Sequence, residues 1–171
     1  MQDHFAMFAL YNRWANERLY EAVRAIPDAD YRAERGAFFG SLHGTLNHIL
    51  VADRIWMRRF TGDGPAPTRL DAILFDDLHD LAIARLAEDE RIIAFVDLLT
   101  EADLAGEIRY RTIARPDEMR QPLAPALAHF FNHQTHHRGQ AHGLVTAIAG
   151  REAMPSLDLI LFQRETGIGM A

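Results

Sequence analysis

Four long stretches of this chain place apolar residues at helical spacing, and three of them end at a strong breaker. The first carries Phe5, Phe8, Tyr11, Ala15, Leu19 and Val23 across residues 3–25, one stripe of a helix that Pro27 closes. A loop rich in charge and glycine runs on to Gly40. Ser41 is a natural N-cap for a helix over 42–60, whose stripe is Leu42, Leu46, Ile49, Ala52, Trp56 and Phe60. The run TGDGPAP at 61–67 breaks the chain again. Thr68 could then cap a long helix from about Leu70 to Leu99, with its Glu, Asp and Arg residues on the outer face. Residues 107–113, EIRYRTI, alternate polar and apolar and predict a strand. Arg115-Pro116-Asp117-Glu118 reads as a turn, so the segment is a small hairpin. Pro122 or Pro125 suits the first turn of a last long helix reaching Ala149, and Gly150 fits just past its end. A small helix closes the chain. Four long helices with mostly short connections predict an all-α fold, a four-helix bundle, in one domain over 1–171. The short β-hairpin-like insert lies between the third and fourth long helices.

Composition removes most routes to chemistry. There is no cysteine, hence no disulfide, thiolate metal site or thiol nucleophile. All 18 basic residues are arginine, so a lysine Schiff base and a P-loop lysine are excluded. The two serines, Ser41 and Ser156, lie in no Gly-x-Ser-x-Gly elbow. A net charge of −6 argues against a nucleic-acid partner; Arg54, Arg58 and Arg59 form the one dense basic cluster. No apolar run approaches the ~20 residues of a membrane span, and no signal peptide opens the chain, so a cytoplasmic location is expected. Any reaction must use a bound metal or a nucleophile taken from solution.

Histidine supplies the metal candidate. The stretch HFFNHQTHHRGQAHG, 129–143, holds five of the chain's nine histidines. His133 and His137 stand one helical turn apart on one face, a spacing that grips a transition-metal ion. No glutamate follows His133, so the general base of a zinc protease is missing. At ~100° per residue, His133 and His137 fall on or at the edge of the apolar arc of their helix, while His129 and His136 lie further out and His142 beyond the opposite edge. On the 42–60 helix His48 borders the apolar arc, which makes it the best third ligand, and His43 lies off the face. His43, His79 and His4 are expected at the surface. Three neutral imidazoles leave the full +2 charge of a metal and at least one open position, where a water or thiol would be polarised. The set suits zinc, nickel, iron or copper. Asp53 falls inside an apolar arc and needs a partner. It could orient a histidine, or pair with an arginine such as Arg138, the preferred reading. His136 and Arg138 are further candidates for supporting the ligands or contacting an anionic substrate.

Three segments, YNRWANERLY, SLHGTLNHILVADRIW and HFFNHQTHHRGQAHG, together resemble the DinB-like family, the DinB/YfiT superfamily. The likeness runs in order along essentially the whole chain. It implies an antiparallel four-helix bundle binding a divalent metal through His48, His133 and His137, often as a dimer. Relatives include thiol-dependent S-transferases and a thiol-dependent isomerase. The resemblance therefore implies a low-molecular-weight thiol cosubstrate and a small electrophilic substrate, or a hydrolase that activates water. The alternative is a non-catalytic stress-response protein stabilised by its metal.

Overall fold

The computed structural model describes residues 1–65, 67–112 and 117–170. Four long helices build it: α1 (Gln2–Arg24), α3 (Leu42–Thr61), α4 (Leu78–Asp97) and α6 (Leu123–Ala149). Shorter helices α2 (Asp28–Arg32), α5 (Glu101–Leu104) and α7 (Leu159–Thr166) lie in the connections. The all-α bundle expected from the sequence is present, with the hairpin β1 (Glu107–Arg111) and β2 (Glu118–Pro122) between α5 and α6. The strands pair antiparallel, from Glu107 opposite Pro122 to Arg111 opposite Glu118. Of the expected turn at 115–118, Arg115 and Pro116 lie outside the described residues, and Glu118 opens β2. Among the described residues no helix is long and apolar enough to cross a membrane.

Local chemistry sets the boundaries. The Ser41 hydroxyl accepts the Gly44 amide and starts α3. Gly62, at φ 75°, ends it by donating its amide to the Arg58 carbonyl. Pro27 ends the first helix region as expected, but it also stands at the N-cap of α2. The third long helix begins eight residues later than the sequence suggests. Asp77, not Thr68, caps it, its carboxylate accepting the amides of His79 and Asp80. Residues 67–76 form an irregular strap with a turn at Leu70–Asp71, because the Asn47 side chain captures the backbone of Leu74 and Phe75.

Chain direction follows from contacts along the helices. Asn12 and Asn16 of α1 meet Asp89 of α4 while Gln2 meets Asp97, so these two run antiparallel. His48 meets His137 and Trp56 meets His129, which makes α3 and α6 antiparallel. Asp53–Arg85 and Phe60–Phe95 show α3 and α4 parallel, the consequence of the long strap between them. Two helices thus run up and two down.

The core has two large apolar clusters and a smaller one where Phe162 of α7 packs on Met7, Tyr11 and Ala15 of α1. One large cluster centres on Leu19, Val23, Leu42, Leu46, Leu50, Leu81 and Val145, the other on Phe5, Met57, Ile92, Val96, Leu127 and Phe130. Between these two lies a buried polar belt: Asn12 and Asn16 of α1, Asp53 of α3, Arg85 and Asp89 of α4, and Gln134 and Arg138 of α6. Arg85 bonds Asp53 at 2.6 Å and Asp89 at 3.0 Å. Asp89 accepts from both asparagines, and Arg138 donates to the Asn12 side-chain oxygen. Within this belt two carboxylates face two guanidiniums, and the buried Glu88 pairs with Arg54 and Arg91 at its edge. Arg85, Glu88 and Asp89 therefore face inward, contrary to the expectation that the charges of this helix lie on its outer face. His43 is also buried, its Nε2 3.2 Å from the Phe75 carbonyl, and not at the surface.

Candidate metal centre

Helical phase brings His133 and His137 to the α3-facing side of α6, one turn apart, and His48 of α3 opposite them. Each offers one ring nitrogen, and these nitrogens lie within 4.8 Å of one another. His48 and His137 are buried and His133 is partly exposed. The three rings converge, with His48–His133 centroids 5.3 Å apart and His133–His137 4.3 Å.

Hydrogen bonds outside the cluster set the tautomers. The Leu70 carbonyl, 2.8 Å from His48 Nδ1, can only accept, so this nitrogen carries the proton. His137 Nδ1 likewise donates to Gln140 Oε1 at 2.9 Å. Both Nε2 atoms are then bare lone pairs, and they face each other at 3.3 Å. Two lone pairs at that distance repel unless a cation sits between them. Burial disfavours a proton there: it pushes His48 down to about 4 and, with the neighbouring imidazoles, His133 to about 3; His137 is lowered too, chiefly by burial. Two nitrogens bonded to one metal at about 2.0–2.1 Å with a tetrahedral angle stand about 3.3–3.4 Å apart. The His48–His137 separation matches that edge, and neutral imidazoles are the form a metal takes. The residues fit a divalent transition metal.

The surroundings complete the pocket. Phe39 stacks on His48 with centroids 3.6 Å apart and turns its edge to His137. The Phe39 loop packs so closely on α3 that a Cβ at position 44 would collide with the Phe39 carbonyl, which accounts for Gly44 in the first turn of a helix. Asn47, next to His48, holds the strap that carries Leu70: its Oδ1 accepts from Leu74 and Phe75, and its Nδ2 donates to His43 and Phe75 carbonyls. Gln140 links His137 to His136, whose Nε2 is 3.1 Å from the Gln140 amide nitrogen. His136 is exposed and reaches the cluster only through that amide and an edge contact with the His137 ring. His129 turns to Trp56, 5.1 Å away, and borders His133.

Asp53 and Arg138 lie in the polar belt. Asp53 pairs with Arg85, and among the described residues neither Asp53 nor Arg138 bonds a ligand histidine. Arg138 packs over the Tyr11 ring on the α1 side of α6. The sequence reading missed Phe39, Asn47, Leu70 and Gln140. Gln140 alone had a local signal, its i+3 spacing from His137.

The DinB family model matches residues 1–166. The protein named Protein DinB of Bacillus subtilis (strain 168) is 25% identical over 176 residues, which cover 97% of this chain and 98% of that protein.

Proposed function

The chain belongs to the DinB family, and we propose that it is a metal-dependent enzyme of thiol S-transferase or hydrolase type. His48, His133 and His137 would hold the metal. The observation that carries this reading is the pair of facing Nε2 lone pairs, with a third imidazole half-open to solvent. A bound divalent metal supplies the positive charge that lowers the pKa of a coordinated thiol or water toward neutrality.

The protein's own part is preorganisation. Leu70 and Gln140 hold two rings in the ligating tautomer, and Phe39 keeps water off the buried face of His48. No carboxylate enters the ligand set among the described residues, so the positive charge is undiminished and favours an anionic nucleophile. A cavity of about 480 Å³, lined by Phe38, Phe39, Gly44, Leu70, Asp71 and Ile73, borders the two residues that contact His48, Phe39 and Leu70, and would take the body of a small electrophile. With no cysteine in the chain, the thiol must be a separate small molecule. The nucleophile would attack the electrophile and release its leaving group or open its ester, amide or lactone.

The test is a turnover screen of zinc-, nickel- and iron-loaded protein with several low-molecular-weight thiols and electrophiles, and with hydrolysable esters, amides and lactones. Turnover that disappears in His133→Ala supports the reading. Metal-loaded protein that turns over nothing, yet melts higher than the metal-free form, supports the alternative of a metal-stabilised binding protein.

A further inference from the structure

Arg59 is the unusual cation of this molecule. It is half-buried on α3, and among the described residues it makes no hydrogen bond or ion pair. Its guanidinium instead caps two aromatic rings, 4.5 Å from the centroid of Trp56 and 4.7 Å from that of Tyr110. Elsewhere the arginines beside it are occupied: Arg54 faces Glu88, and Arg58 donates to the Gly64 carbonyl. The acidic residues of the two strands pair elsewhere, Glu107 with Arg120 and Glu118 with Arg109. Burial without a carboxylate lowers the pKa of Arg59, and an anion beside it would relieve that cost.

Its position joins it to the metal centre. Trp56 contacts both Arg59 and His129, the latter with centroids 5.1 Å apart, and Arg59 is near enough to His129 to help lower its pKa. His129 in turn borders His133, at 5.9 Å. Along α6 the three imidazoles of His137, His133 and His129 follow one another at single-turn steps, and Arg59 stands beyond the last. Tyr110 of β1 packs on Trp56 with ring centroids 5.3 Å apart, which sets the hairpin beside this row. A small molecule that reaches the histidine triad with its reacting atom can lay its other end against a guanidinium and an imidazole N–H.

We infer that Arg59 and His129, on the Trp56–Tyr110 platform, bind the anionic group of the substrate, a carboxylate or a group of like charge, whose reacting end lies at His48, His133 and His137. This rests on the proposed metal-dependent function and adds its substrate class: a small organic anion. Arg59 is a specificity-determining residue. The carboxylate could belong to the thiol or to the electrophile, and binding measurements separate the two.

Calorimetric titration of zinc-loaded protein with 3-mercaptopropionate and 3-mercaptopropionamide tests the thiol as its source. Benzoate and benzamide test a carboxylate that carries no thiol. A charge-assisted hydrogen bond gives the acid about a tenfold or greater preference over its amide. That preference should vanish in Arg59→Gln and weaken in the native protein as salt is raised. Preference in the thiol pair alone assigns the anion to the thiol; preference in the benzoate pair alone assigns it to the electrophile. An equal affinity for acid and amide in both pairs overturns the subsite, as does a preference that survives in Arg59→Gln. If neither thiol binds but benzoate binds through Arg59, the subsite stands and the thiol-transfer reading falls. Arg59→Gln breaks no ion pair but gives up two cation–π contacts, so the variant should stay folded with a melting temperature a few degrees lower; the salt dependence gives a second readout that needs no variant.

Discussion

His48 donates its Nδ1 proton to the backbone carbonyl of Leu70, 2.8 Å away and 22 residues later in the chain. That one bond fixes which nitrogen of the buried ring is left to bind metal. The carbonyl is in place because the strap between α3 and α4 is tied down by Asn47, the residue before His48.

Asn47→Ala should therefore weaken metal binding without touching a ligand. The substitution orphans two strap amides and frees Leu70. Loss of a partner that orients a ligand typically costs about 10–100-fold in metal affinity. Competition with a chelator of known strength measures it; an unchanged affinity would show that the strap does not orient His48.

His48→Ala, His133→Ala and His137→Ala should each lose more affinity than that, since each removes a ligand outright. Elemental analysis after dialysis should find one metal per native chain and far less in each variant. Full metal in all three would refute the site.

Removal of the metal should lower the melting temperature. With free metal at about 100 times its dissociation constant, binding contributes about 2.7 kcal/mol. In a domain of this size that is about 5–10 °C. Differential scanning calorimetry with and without chelator gives the shift, and the His137→Ala protein should show none.

The depressed histidines set the response to acid. In the metal-free protein His48 and His133 stay neutral down to about pH 4 and 3, whereas in the unfolded chain histidines protonate near 6.5. Between these limits the unfolded state binds more protons, so this contribution is complete above about pH 6.5 and is lost as pH falls toward 4. Metal should likewise stay bound through pH 6 and leave only on approach to pH 4. Release midway near 6.5 in a pH titration would mean that the rings are not buried as described.

Asp53→Ala should destabilise the bundle strongly, by about 3 kcal/mol, because removal of one partner of a buried pair leaves an uncompensated charge. Arg85 keeps Asp89, which holds the loss to the lower end of that range. Urea denaturation measures it, and metal content at saturating zinc should be unchanged, since Asp53 pairs with Arg85 and with no ligand histidine.

Local patterns in the chain gave most of the scaffold. Ser41 before an apolar stripe, Pro27 after one, and alternation at 107–113 are short-range signals; α1 and α3 formed where theirs lie, and the strand covers Glu107–Arg111 of its run, with Ile113 outside the described residues. Helical phase was enough to single out His48, His133 and His137, which the structure brings together, because residues that meet between two helices must lie on or beside their facing arcs. The start of α4 was hidden. Leu70, Ile73 and Leu74 continue a helical spacing, yet a side chain from another helix takes the backbone amides that the helix would have used. The partner of Asp53 was hidden for the same reason: Arg85 is 32 residues away, and only the packing of α3 beside α4 brings it there.

The two facing histidines also carry a message about biosynthesis. His48 and His137 are 89 residues apart, and His133 belongs to the later element as well. While the ribosome is still making the chain, the emerging product owns a single ligand until α6 has left the exit tunnel. An ion held by these three histidines could not nucleate this fold on a nascent chain. It would wait for the last long helix to dock, so loading would report a docked α6, and a translation product truncated before α6 would lack the site.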